Sequence, residues 1–244
     1  MKLSLEQIKS VTVGALEITE ENGTFRFAKC ITKQIEVCYR LRTVLGERAK
    51  TTTGIRLDFH TNSNVFAFEA ETKGKYDIYI DNVLTYFYRD VDFNCGMRKE
   101  ILLDGRTHRI TLYLPAHTEG ILRSVEIDDS ATLTPHKFDC KILFLGDSIT
   151  QGWDSKWDSL SYAHHVSRVF NADSVIQGIG GAKYHNLTFD EAIQYDPDIV
   201  IVAYGTNDWT TYQTYEEGRE HCSDFLDQLV KKYGGKKLFG ISPI

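Results

Sequence analysis

Lys141-Ile142-Leu143-Phe144-Leu145-Gly146-Asp147-Ser148-Ile149-Thr150 is the stretch on which the fold turns. Ile142 to Leu145 form an unbroken apolar run, as a strand buried on both faces requires. Gly146 closes the run and a polar loop follows it. Downstream the pattern repeats, with a helix predicted over about 159–170, a strand at 174–176, a helix near 186–195 and a strand at 198–203. A helix over about 216–233 and a fourth strand at 237–240 complete the series. The first and last of these helices carry Tyr162, Val166 and Val169, and Phe225, Leu226 and Leu229, respectively, at helical spacing. Strands alternating with helices predict a parallel sheet with right-handed crossovers, an α/β domain of flavodoxin-like, three-layer form.

Upstream the texture differs. Residues 11–127 read as short runs of Val, Ile, Phe, Tyr and Thr broken by turn residues, the pattern of a jelly-roll-like β-sandwich. Ile110, Leu112 and Leu114 alternate with Arg109, Thr111 and Tyr113, which predicts a half-buried strand. Asp104-Gly105 between two such runs predicts a tight hairpin. No amphipathic helix is expected before residue 135, apart from a short turn at residues 5–8. The aromatic group Tyr76, Tyr79, Tyr86, Phe87 and Tyr88 sits at strand spacing and reads as core and sheet surface. The change at Thr134-Pro135-His136 divides the chain into an all-β accessory domain, 1–135, and an α/β domain, 136–244.

Bulk properties exclude several classes. With 244 residues, 42% hydrophobic and 25% charged, the chain has room for two ordinary domains. A net charge of -6, with both signs mixed along the length, argues against nucleic acid, whose binders gather Lys and Arg on one face. Glu6, Gln7, Lys9 and Ser10 interrupt the apolar residues of the N-terminus, which therefore reads as neither signal peptide nor membrane span. Five widely spaced cysteines without a CxxC pair read as reduced thiols, and the expected compartment is the cytoplasm.

In a parallel sheet, functional groups gather at the carboxyl ends of the strands. Three polar or Gly-rich loops stand there: 146–150, 178–181 and 205–208. A strand order of 2-1-3-4 places Ser148 between the other two loops. That arrangement suits acyl transfer, with a hydroxyl nucleophile and preorganised donors for the oxyanion: the Ser148 N–H, the Gly181 N–H and the Asn207 side-chain amide. Each residue also has a plainer reading, Ser148 as a helix cap, Gly178, Gly180 and Gly181 as a tight turn, and Asn207 as a turn brace. His164, His165, His185, Asp154 and Asp158 read as surface or capping groups. Trp153 and Trp157 read equally as a substrate wall or as core. No paired carboxylates and no metal-ligand spacing occur, so neither cofactor nor metal is expected.

Gly146-Asp147-Ser148-Ile149-Thr150 resembles the first conserved block of the SGNH (GDSL-type) hydrolases, and Gly205-Thr206-Asn207-Asp208 resembles the third. Ile179-Gly180-Gly181 is similar to the second block, although Ile176 or Gln177 stands where the family commonly has Asn. The resemblance covers about residues 139–244 and implies an esterase in which Ser148 is the nucleophile, with Gly181 and Asn207 as further oxyanion donors. A jelly-roll-like domain ahead of such a domain is similar to carbohydrate esterase family 2, which implies acetyl groups on sugars as substrate and a carbohydrate or small-molecule ester as partner. A lipase-like esterase or acyltransferase, and an inactive carbohydrate-binding protein, are the competing readings. The family takes its general base from an Asp-x-x-His block after the fifth strand. None of the eight histidines here follows an Asp by three positions, so the natural protein is expected to continue for roughly another hundred residues. A fluorophosphonate probe should label Ser148 alone; peptide mapping that finds the label on another serine, with Ser148 unmodified, removes it as the nucleophile.

Overall fold

The computed structural model describes residues 1–89, 98–185 and 187–242. Its N-terminal part packs two antiparallel sheets face to face. One runs in the order β2 (Glu17–Glu21), β3 (Thr24–Ala28), β10 (Leu122–Ile127), β5 (Val65–Ala70), β8 (Arg98–Leu102). The other runs β1 (Thr12–Val13), β4 (Arg56–Thr61), β9 (His108–Tyr113), β6 (Tyr76–Ile80), β7 (Val83–Tyr88), with β11 (Thr134–Pro135) alongside β4. Phe27, Phe66, Phe68 and Leu122 from the first meet Leu57, Phe59, Tyr76 and Leu112 from the second in one core. The turn foreseen near the N-terminus is a full helix, α1 (Leu5–Val11), with Ser4 and Gln7 exchanging the two bonds of a capping box.

Asp104-Gly105 does not close a hairpin. Gly105 takes a positive φ of 76°, but Asp104 does not, so the expected tight turn is replaced by a bend in which the Asp104 carboxylate accepts from the Arg106 N–H at 3.0 Å. Its flanking strands, however, lie in opposite sheets, β8 against β5 and β9 between β4 and β6. Nor is β9 half-buried: Thr111 and Tyr113 are covered as fully as Ile110 and Leu112. The face they occupy packs on the α/β part, where the Tyr113 ring lies 5.3 Å from that of His164.

The parallel sheet has the expected order, β13 (Ala172–Gly178), β12 (Cys140–Gly146), β14 (Ile199–Ala203), β15 (Lys237–Gly240). Alternate residues of β12 serve two cores, as its unbroken apolar run requires. Ile142 and Phe144 pack with Ala163 of α5 (Tyr162–Val169), whereas Leu143 and Leu145 pack with Phe225 and Leu229 of α7 (Tyr215–Tyr233). Val169 and Leu226, counted above with these helices' apolar positions, are exposed. His164 is buried rather than superficial. Its Nδ1 lies 2.7 Å from the hydroxyl of Ser161, the N-cap of α5, and burial pushes its pKa well below the usual histidine value.

Two helical expectations are overturned together. Residues 187–195 form turns, not a helix, and residue 186 lies outside the described residues. The Asp190 carboxylate accepts from the Ala192 N–H at 2.8 Å, a local bond that competes with helix formation. Conversely, the N-terminal part contains two helices that were not foreseen, α2 (Thr32–Leu41) and α3 (Thr43–Lys50). Cys38, Leu45 and Ala49 of these helices share a core with Leu143, Val175 and Val200 of the parallel sheet. A pair of helices from the first third of the chain therefore helps to cover the face on which the crossover from β13 to β14 supplies none among the described residues. Leu45→Ala should cost about 2–5 kcal/mol in urea unfolding, as a large-to-small change in a packed core does. The neighbouring Val44→Ala, 37% exposed, should stay within about 0.5 kcal/mol; equal effects would remove α3 from the sheet's core.

Candidate active site

β12 delivers Ser148 to the first position of α4 (Ser148–Gln151), directly after the last ladder residue, Gly146. Asp147 is the N-cap, its carboxylate accepting from the Ile149 N–H at 2.9 Å, and burial raises its pKa. The cap is thus Asp147, which leaves the Ser148 side chain free of that role. Ser148 is half-buried, and its hydroxyl has no hydrogen-bond partner among the described residues. No histidine bonds to it there either.

The other two loops stand on either side, as the strand order demands. Gly178 pairs with Gly146 in the ladder and packs on α4, where a Cβ would lie 2.4 Å from the Gln151 backbone nitrogen. Its role is close packing. Gly181 instead takes a φ of 80°, a conformation glycine adopts without steric cost, and its N–H is unpartnered among the described residues. Asn207 lies at the start of α6 (Thr206–Thr211) beyond β14. Its Nδ2 donates to the Ala182 carbonyl at 2.9 Å and to the Asp147 carboxylate at 3.3 Å. All three sequence-derived positions are therefore gathered, Asn207 bridging the loop of Ser148 to that of Gly181.

Three residues that sequence reading missed hold this arrangement. Gln151 is fully buried; its Oε1 accepts from the Gly180 N–H at 2.7 Å and the Trp153 Nε1–H at 3.1 Å. Its Nε2 donates to the Ala116 carbonyl at 2.8 Å and to Thr51 Oγ1 at 3.3 Å, both in the β-sandwich part. Arg48, at the end of α3, donates from Nη1 to the Gly180 carbonyl at 2.7 Å. Gln177, near where the family commonly has Asn, donates to the Lys29 carbonyl and pairs with the Gln34 amide. Gln151, sitting next to the first block, and Gln177, noted above at the second, carried a local signal in the sequence; Arg48 carried none.

Of the remaining candidates, Trp157 is buried, its ring tilted against that of Phe87 at 4.2 Å, while Trp153 is 45% exposed beside the glycine loop. Asp158 is buried, not superficial, accepting from the Ala116 N–H at 2.8 Å and pairing with Lys75. His185 stacks on His221 at 5.1 Å. Among the described residues no group of three or more His, Cys, Asp and Glu could hold a metal, and no helix is long and apolar enough to cross a membrane. A cavity of about 1280 Å³ lies beyond α6, lined by Tyr204, Trp209, Tyr212 and Ile241 among others, but by none of Ser148, Gly181 or Asn207.

A serine loop set between a glycine loop and an amide at the carboxyl edge of a parallel sheet is the arrangement with which the class is compared. Residues 144–244 match the model of the GDSL-like Lipase/Acylhydrolase family, so the chain carries a GDSL-like SGNH hydrolase domain behind a β-sandwich. No curated protein sequence matches the chain. Among solved structures, it is similar to the salicylyl-acyltransferase SsfX3 from a tetracycline biosynthetic pathway, with a TM-score of 0.80 at 16% identity over 93% of this chain and 68% of that one. A family two carbohydrate esterase from Cellvibrio japonicus matches with a TM-score of 0.67 at 15% identity, over 98% of this chain and 78% of the other. An acetyl xylan esterase from the rumen bacterium Butyrivibrio proteoclasticus matches with a TM-score of 0.62 at 18% identity, over 98% and 80% respectively. These likenesses establish the two-part fold.

Gln151→Ala would leave the buried Gly180 N–H without its acceptor. An orphaned buried donor costs about 1–3 kcal/mol, and urea unfolding should show a loss on that scale. A variant as stable as the parent would mean that the glycine loop does not depend on this amide.

Proposed function

We propose that the protein is a serine esterase that removes a small acyl group, most simply acetyl, from an oxygen of a carbohydrate or similar ester. The observation that carries this reading is the unpartnered hydroxyl of Ser148 at a strand's carboxyl end, flanked by the unpartnered Gly181 N–H and the Asn207 amide. Ser148 attacks the ester carbonyl, and the oxyanion is held by the N–H groups of Ser148 and Gly181 and by Asn207, whose longer bond to Asp147 is the one an oxyanion replaces. Collapse expels the alcohol, and water then hydrolyses the acyl-enzyme. Sugar as the alcohol and acetyl as the acyl group rest on likeness to the carbohydrate esterases.

Likeness to SsfX3 favours a second reading, transfer of the acyl group from the same serine to an acceptor other than water. Cytoplasmic placement is part of the proposal and rests on the free thiols of Cys30, Cys38, Cys140 and Cys222.

Hydrolysis of p-nitrophenyl acetate by the full-length gene product should vanish in Ser148→Ala. Asn207→Ala should lower kcat by about 10²–10³ with KM little changed, the scale of one lost oxyanion donor. Acetylated xylan, acetylated mannan and simple glycerides then separate sugar esterase from lipase, and partitioning of the acyl group to added alcohols identifies a transferase. Unchanged turnover in Ser148→Ala would overturn the proposal.

A further inference from the structure

Arg48 belongs to a helix of the N-terminal part, yet its guanidinium reaches the glycine loop on the far side of the sheet from β14. Nη1 donates to the Gly180 carbonyl at 2.7 Å, and the guanidinium carbon lies 4.8 Å above the centre of the Trp153 ring. A Cβ at Gly181 would come within 3.1 Å of Nη1, so the contact is close along the whole peptide. The residue makes no other side-chain hydrogen bond and no ion pair among the described residues. An arginine that spends its charge on one backbone carbonyl, rather than on a carboxylate, is placed to act on that peptide.

The peptide joining Gly180 to Gly181 is planar and trans, so its C=O and N–H point in opposite directions. Holding the Gly180 oxygen therefore fixes the direction of the Gly181 hydrogen. The preceding peptide is fixed too, because the Gly180 N–H donates to Gln151. With both flanking peptides tied, the Gly181 N–H has no internal partner and one allowed orientation. A cation on the carbonyl oxygen also draws electron density from the amide, which makes its hydrogen a better donor to developing negative charge.

We propose that Arg48 is a positioning residue for the oxyanion site: it aims and polarises the Gly181 N–H through the Gly180 carbonyl, without touching substrate. This rests on the esterase reading above. Its own position is set from behind, where Lys29 Nζ donates to the Arg48 carbonyl at 3.0 Å and to Thr51 and Thr53, tying down the end of α3.

The full-length protein is the sample, with Arg48→Ala and Arg48→Lys, and rates are referred to active sites counted by fluorophosphonate labelling at completion. Arg48→Ala should lower kcat on p-nitrophenyl acetate by about 10–10²-fold at unchanged KM, the range expected when a reacting group is displaced by about an ångström. A boronic acid, which forms a tetrahedral adduct on the serine, should lose affinity by the same factor. Added guanidinium ion should restore part of the rate, and Arg48→Lys should lie between parent and Arg48→Ala. Parent-like kcat and boronate affinity per active site would overturn the proposal, as would a loss seen only in the number of active sites or only in KM. A parent without esterase activity and without labelling at Ser148 would instead overturn the proposed function.

Discussion

The side chain of Gln151 is the joint on which the rest of the site depends. One carboxamide, buried at the end of the helix that Ser148 begins, accepts from the Gly180 N–H and the Trp153 indole and donates to Ala116 and Thr51. A buried amide is costly unless its donors and acceptors are satisfied, and here they are satisfied by four different segments. Those partners can be met only when the loop after β12, the loop after β13 and the sandwich loops at 51 and 116 are all in register. The same group therefore reports, in one place, that both parts of the chain have folded and docked.

Docking is extensive because neither part covers itself. Arg56, buried on the outer face of β4, donates to the Ala172 carbonyl at the start of β13 and pairs with Asp58. Asp77 accepts from the Ser159 N–H, and the Tyr79 hydroxyl meets that of Ser159. On the opposite side of the parallel sheet, α2 and α3 occupy a layer that a crossover helix would otherwise fill. Gln34 caps the start of α2 by accepting from the Ile31 N–H while its own amide pairs with Gln177 of β13. Local helix capping and long-range docking are thus performed by a single side chain.

What the sequence made legible follows from this distinction. The strand at 142–145, its neighbours and the three loops could be read because each is a run of adjacent residues whose periodicity and turn chemistry are local. The loops of Ser148, Gly181 and Asn207 could be placed together because the order of parallel strands follows from few rules, and it carries loops distant in sequence to one edge. The helices α2 and α3 were hidden because the residues they bury include Gln34, Cys38 and Gly46, which read as polar or neutral when their partners on the other sheet are unknown. Asp104-Gly105 shows the same limit from the other side: only the positive φ of Gly105 was legible, and a dihedral angle does not specify the sheet to which the next strand belongs.

Arg48 and Gln151 then differ in kind from the residues that sequence reading singled out. A nucleophile or an amide donor is recognisable by its own chemistry at a strand end, whereas a group that orients a peptide is defined by what it reaches. Arg48 lies 132 positions from Gly180, on a helix whose register is tied by Lys29 beneath it. Moving that helix moves the guanidinium, and the guanidinium holds the carbonyl whose peptide carries the Gly181 N–H. The sandwich part is for this reason not a passive attachment: through α3 it holds a backbone carbonyl of the glycine loop in the other part, and that loop is tied down only where the two meet.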